Sequence, residues 1–384
     1  MVTTPVETRP RSVPPTPAPP ATDRGRRLRE AAFVVGLYVV SIAVALGISA
    51  LIVYLTHGSP STVFTALWDG SFASWGSFGY TLDAAAPLLI VAVGTIVSTR
   101  AGLFNIGQEG QLTIGAMTAA LVALKIDGPG PLMLVLALVA GAVGGALWAG
   151  ISALLRYWRG VEVVISSLLL VFVAFQLLSY ALSTTVLLHE TGAEGASLTE
   201  SDPIPSGARL PRFGTYPNAN VSSAVILALL LAAIIGIAMS RTTWGFRLKM
   251  LGLNPVAAKR VGVRAAVLGS MALLVSGACA GLAGGVVLTS QAYRITPTIS
   301  NNIGWNGLLV ALVARNNAWV AIVVALLFGG LHAGGGYLAS TGVPSDLVDI
   351  VEALVVLAAV FPPALLELRR RRARPQAVPA GEAA

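Results

Sequence analysis

The chain has 384 residues, of which 55% are hydrophobic and only 11% charged, with a mean hydropathy of +0.79. A water-soluble domain carries about 25% charged residues, so soluble enzymes and binding modules are excluded, and repeated apolar runs of roughly 18–25 residues specify an all-α polytopic membrane protein. The net charge of +8 does not mark a nucleic-acid binder, because the positive residues lie in tails and turns beside apolar runs, where they read as a topology signal.

Residues 1–30 form a Pro-rich, then Arg-rich head that is expected to be disordered, with its arginines against the anionic inner leaflet. No cleavable signal peptide is expected, since the first thirty residues are polar and the first apolar run is too long. Ten spans are predicted near 33–55, 82–99, 103–124, 131–154, 162–182, 221–239, 266–289, 303–314, 319–339 and 348–367. The basic tail, 368–384, mirrors the head, so both termini are placed in the cytoplasm. That arrangement puts Arg100, Arg156, Arg159, the stretch 240–264 and Arg315 inside. Segment 183–220 is then an external loop and a docking or capping surface. The eighth span is too short to cross alone, so residues 291–302 are expected to be re-entrant or part of a broken helix.

The stretch "RAGLFNIGQEGQLTIGA", 100–116, places three amides and a carboxylate in an apolar setting. Read as a helix from residue 105, it puts Asn105, Gln108 and Glu109 on one face and Gly107 and Gly110 on the other, where another helix can approach. An ionisable residue in a span is costly and marks a cavity or gate; the alternative is that Glu109 is satisfied by water or a helix N-terminus at the cytoplasmic end. Residues 302–307, "NIGWNG", repeat four of the six positions of "NIGQEG" at 105–110. With the two spans running in opposite directions, this echo predicts an inverted repeat whose helix starts converge on a central pathway. Asn302 and Asn306 thereby join the candidate pathway residues. Glu109 corresponds to neutral Asn306, which argues against a charge requirement.

In the basic loop 240–264, Asn254 is expected to cap a short helix with Pro255 at its first position. A partner-docking helix is favoured over a merely basic inside loop. In "PSDLVDIVE", Asp346 and Asp349 complement a helix dipole, while Glu352 sits deeper and leaves a cation site or proton relay open. His189 and His332 lack a metal-ligand partner and read as structural or incidental, and Cys279 reads as a buried inert thiol. No metal site is expected. None of the three lysines, Lys125, Lys249 and Lys259, lies in a phosphate-binding Gly-Lys loop, so the chain carries no Walker-type ATPase. No hydrolase motif supplies a nucleophile, so an enzyme is not expected.

Four segments carry a resemblance: "RAGLFNIGQEGQLTIGA", "LGLNPVAAKRVGV" at 251–263, "GLLVALVARNN" at 307–317 and "SGARLPRFG" at 206–214. Over about 82–361 the chain resembles the permease subunits of bacterial nucleoside ABC importers, within the ribose and branched-chain amino-acid permease superfamily. The family's common Gly-Arg-Asn-Pro ending is replaced by "ARNNA" at 314–318. The resemblance implies a ten-helix permease that pairs with a second, related permease. It also implies cytoplasmic ATPase subunits below, which carry the ATP and magnesium, and a lipoprotein that delivers nucleoside from outside. It further implies a coupling helix at 254–261. Arg247, Lys249, Asn254, Lys259 and Arg260 are then candidates for the ATPase-facing surface, and Asn105, Gln108, Glu109, Asn302 and Asn306 for lining or gating the path. A secondary transporter driven by an ion gradient through Glu109, Glu352 or the two aspartates is the alternative.

Overall fold

The computed structural model describes residues 24–55, 59–184, 187–190, 200–214 and 220–340, together with helical positions of the last apolar stretch that include Ile350, Leu354, Leu357 and Phe361. In chain order the helices are α1 (Arg24–Leu55), α2 (Pro60–Ser71), α3 (Trp75–Arg100), α4 (Gln108–Lys125), α5 (Gly130–Arg159) and α6 (Val163–Ser183). They continue with α7 (Ala224–Arg241), α8 (Thr243–Leu253), α9 (Pro255–Arg260), α10 (Ala265–Val287), α11 (Ile303–Val313) and α12 (Ala318–Ser340). A short antiparallel pair, β1 (Arg212–Phe213) and β2 (Val221–Ser222), stands between α6 and α7.

Among the described residues six helices are long and apolar enough to cross a membrane: α3, α5, α6, α7, α10 with its continuation, and α12. The first nine predicted spans each overlap a helix, the tenth, 348–367, lies mostly outside the described residues, and the departures have local causes. The head does not stay irregular to residue 30: α1 already begins at Arg24, where Arg, Leu, Glu and Ala favour helix. Helix α2, absent from the sequence reading, starts with Pro60 in its first turn behind Ser59. The predicted span at 103 begins five residues late. After α3 the chain reverses through Gly102 at φ +76°, and the Asn105 side chain accepts from the Gly107 N–H at 3.1 Å, a local turn that competes with helix. Asn105 therefore precedes α4 and shares no helical face with Gln108 and Glu109, contrary to the sequence reading. Residues 221–222, predicted as span, are strand because they pair antiparallel with Arg212–Phe213, and the Ser222 N–H donates to the Asp83 carboxylate at 2.8 Å.

Helix α3 is the axis of the molecule, buried through most of its length and packed against α7, α10, α11 and α12. Beside it α4, α5 and α10 cross closely. A Cβ added at Gly115 or Gly145 would run into the backbone of Gly281, so only glycine lets these helices approach this far. The outer faces of α5, α6 and α7 expose Leu147, Phe172 and Ile226, as lipid-facing surfaces do. Beyond α10 the chain makes a π-helical turn at Leu288–Ala292 and then reverses through Tyr293, Asn301 and Asn302 at positive φ. Helix α11 then starts inside the bundle with only 11 residues. The broken eighth span is thus present, and in the irregular stretch that breaks it Ile295, Ile299 and Ser300 are buried while Pro297, Thr298, Asn301 and Asn302 are exposed.

Candidate functional site

The two echoing hexamers meet. Gly107 is the N-cap of α4 and Asn302 the N-cap of α11, and these helix starts face each other beside α3. The Glu109 carboxylate lies at the beginning of α11, accepting from the Trp305 N–H at 3.2 Å. Gly304 packs so closely that a Cβ there would sit 2.5 Å from the Glu109 Cα. Glu109 is 1% exposed, so it does not meet water at a membrane face. A helix N-terminus satisfies it instead, which was one arm of the alternative reading.

The neighbouring polar residues are equally enclosed. Asn105 and Gln111 exchange two amide hydrogen bonds, at 3.0 and 3.1 Å, and Asn105 also donates to the Ser276 hydroxyl on α10 at 3.1 Å. Gln108 donates to the Thr95 hydroxyl on α3 at 2.8 Å, and its Oε1 finds no partner among the described residues. Gly107 and Gly110 lie against Ser167 and Val171 of α6, the close helix approach that their spacing predicts. Asn302 is exposed, Asn306 half-buried. None of Asn105, Gln108, Glu109, Asn302 and Asn306 lines the polar cavity that Asp83 and Arg212 border.

That cavity, about 880 Å³, opens at the end of the bundle that carries β1 and β2. Its size falls in the range of small-molecule sites, roughly 300–1,000 Å³. Helix α3 contributes Ser77, Tyr80 and Asp83, and α12 contributes His332 and Tyr337. Gln291 comes from the π-helical turn and Arg212 from β1. The lining is made of hydroxyls, an amide, an imidazole and phenol rings around one ion pair, Arg212 with Asp83. Gln291 donates to the Asp83 backbone carbonyl at 2.9 Å, and His332 stands 3.4 Å from the Asn301 amide nitrogen.

The segment before β1 is fastened to the broken helix. Ser201 and Ile204 donate to the carbonyls of Ile295 and Tyr293 at 3.0 and 2.8 Å, and Leu210 donates to that of Thr289 at 2.9 Å. Arg209 lies over the Tyr293 ring at 4.6 Å, and Arg294 pairs with Glu200 at 2.7 Å. The hydrogen bond to Glu200 raises the Arg294 pKa further above its usual value.

At the opposite end α8 and α9 form a basic, apolar-studded surface. The Asn254 side chain accepts from the Ala257 N–H at 3.0 Å and Pro255 occupies the first turn, the capped helix its sequence predicts. Arg247, Lys249, Asn254, Lys259 and Arg260 are all exposed. Between them Leu253, Val256 and Val261 are 77%, 62% and 66% exposed.

The sequence reading missed the cavity. His332, which reads from sequence as structural or incidental, stands on its wall beside Asn301. Asp83 carried a usable signal, since a carboxylate within a predicted span is a functional hypothesis by default. Arg212 and Gln291 carried none, because only the tertiary fold brings them to α3. His189 is structural, its Nδ1 2.9 Å from the Leu182 carbonyl oxygen. Cys279 is buried against Gly94. Asp346, Asp349 and Glu352 lie outside the described residues.

Residues 77–360 match the family described as branched-chain amino acid transport system/permease component. A guanosine ABC transporter permease protein of Bacillus subtilis, NupP, is 33% identical over 329 residues, which cover 84% of this chain and 92% of that one. A glucose ABC transporter permease protein of Haloferax volcanii is 30% identical, over 86% of this chain and 88% of that one. A nucleoside ABC transporter permease protein of Lactococcus lactis, NupB, is 28% identical, over 82% and 88%. Bacillus subtilis and Lactococcus lactis each hold a second permease protein, NupQ and NupC, that also matches. With an axial helix inside an apolar bundle and a polar cavity at one end, this chain belongs to the branched-chain amino acid transport system permease component family, a multi-pass transport subunit and not an enzyme.

Proposed function

We propose that the chain is the permease subunit through which an ABC importer moves nucleosides, or a closely related ribose-containing solute, into the cytoplasm. The chemistry of the cavity carries this reading. Its one ion pair is internally neutralised, and its other polar groups are hydroxyls, an amide and an imidazole. Such groups donate and accept together, which suits sugar hydroxyls and base edges, and Tyr80 and Tyr337 offer ring faces. A free amino acid would need an unpaired cation and an unpaired anion to hold its two charged ends, and the described lining offers neither. Several relatives are named for guanosine, nucleosides, glucose or galactofuranose, all uncharged hydroxylated solutes.

On this reading both termini and the α8–α9 surface face the cytoplasm of a bacterial cell, and the cavity faces outward. A lipoprotein delivers solute to segment 200–214, a second permease pairs with this one, and ATPase subunits dock on Arg247, Lys249, Asn254, Lys259 and Arg260. ATP and magnesium stay on those partners. Asn105, Gln108, Glu109, Asn302 and Asn306 hold the junction of α4 and α11 that switches access below the cavity.

Uptake of labelled guanosine by the reconstituted complex, with and without ATP and each partner, tests the proposal. ATP-dependent uptake that needs every partner supports it. Uptake by this chain alone under a proton or sodium gradient overturns it in favour of a secondary transporter.

A further inference from the structure

We infer that Asp83 determines the charge selectivity of the cavity: it occupies the one cation of the described lining, Arg212, so that neutral nucleosides are accepted and phosphorylated ones refused. This rests on the reading of the cavity as a nucleoside site. A guanidinium has five N–H donors, and every one of those on Arg212 is engaged. Its Nε donates to the Asn220 side chain at 3.2 Å. Its Nη1 donates to the Ser290 carbonyl at 2.8 Å and the Tyr293 hydroxyl at 3.3 Å. Its Nη2 donates to the Asn220 carbonyl at 3.1 Å and to the Asp83 carboxylate.

The carboxylate is committed on both oxygens, since Oδ1 accepts from the Ser222 N–H at 2.8 Å and Oδ2 faces Arg212. A phosphate entering the cavity therefore meets a cation whose charge is balanced and whose donors are taken. It also meets a fixed carboxylate that repels it, which is how a site discriminates without any contact that favours its own solute.

Replacing the carboxylate reverses this. In Asp83→Asn the Ser222 N–H keeps the amide oxygen, which leaves the amide NH2 pointing at the guanidinium, donor against donor. Arg212 then carries an unbalanced charge and a free N–H toward the cavity, the arrangement that binds phosphate oxygens. In Arg212→Gln the unbalanced charge is the Asp83 carboxylate, and preference shifts toward a cationic nucleoside.

The test uses the full chain in its purified complex, at fixed ionic strength. It measures binding of labelled guanosine, guanosine 5′-monophosphate and nicotinamide riboside, a cationic nucleoside, alongside guanosine uptake. The parent is expected to bind guanosine and to discriminate against the monophosphate. Asp83→Asn is expected to improve monophosphate binding relative to guanosine at least tenfold, and Asp83→Asn/Arg212→Gln to lose that gain. Arg212→Gln is expected to gain for nicotinamide riboside, and it decides the matter alone if Asp83→Asn does not assemble. Unchanged ratios in the assembled variants overturn the assignment of Asp83 while parent guanosine uptake leaves the transport reading intact. A parent that neither binds nor takes up a nucleoside overturns that reading itself.

Discussion

The carboxylate of Glu109, in the first turn of α4, accepts a hydrogen bond from the backbone N–H of Trp305, in the first turn of α11, across 196 positions of sequence. Two helices that start with nearly the same hexamer are thus joined at their starts, and one supplies the anion that the other's N-terminus attracts. The carboxylate is a structural partner before it is anything else. Glu109→Gln keeps an acceptor at the same place and is expected to cost roughly 1 kcal/mol, whereas Glu109→Ala leaves buried donors unpaired and costs about 1–3 kcal/mol. Thermal unfolding of the detergent-solubilised protein measures the difference. Full guanosine uptake by Glu109→Gln would show that the charge itself is not needed for transport.

The same junction has no room to spare at Gly304. An added methyl group lies 2.5 Å from both the Cα and the N of Glu109. Gly304→Ala must therefore push α4 and α11 apart, at an overpacking cost of about 1–3 kcal/mol. Reduced melting temperature together with reduced uptake is the expected pair of results. An unchanged melting temperature would mean that the junction yields easily.

His332 gives the cavity a test independent of the junction. Its imidazole forms part of the wall beside Asn301. If it bonds the passing solute, His332→Ala forfeits a contact worth roughly 0.5–1.5 kcal/mol. The half-saturation concentration for guanosine is then expected to rise by up to about tenfold, while ATPase copurification stays as it was. Equal half-saturation in parent and variant would remove His332 from the solute's path.

At the other end, α9 presents Val256 and Val261 between Lys259, Arg260 and the exposed side chain of Leu253. Replacing residues 254–261 with a Gly/Ser linker is expected to abolish ATPase association. Asn254→Ala, which removes the cap on Ala257, costs about 1 kcal/mol of helix stability and weakens association without ending it. The basic flank is expected to make the proposed docking weaken as salt rises. An intact complex with the linker variant would refute the docking assignment.

Much of the architecture is local and so was legible. Runs of apolar residues set the helices, because a span must satisfy its own backbone hydrogen bonds. Asn254-Pro255 set the start of α9, because a cap and a fixed φ act within one turn. Gly107 and Gly110 announced a close helix contact by their spacing, although which helix came to them was not readable. Where local reasoning failed, another interaction competed: the Asn105 turn delayed α4, and pairing with β1 drew residues 221–222 out of the helix.

By itself, then, the sequence determined an all-α membrane protein, the places of most of its helices, the break before α11 and the capped helix of the basic loop. These follow from periodicity, length and turn chemistry over a few residues. Only the tertiary structure decided what the polar residues do. It closed Asn105 onto Gln111, turned Glu109 into the cap of α11, and assembled a cavity from Asp83, Arg212, Gln291 and His332. Asp83 and Arg212 are 129 positions apart, and no period or spacing encodes such a pairing. It arises because an apolar bundle forces each polar group it buries to find a partner wherever the packing brings one.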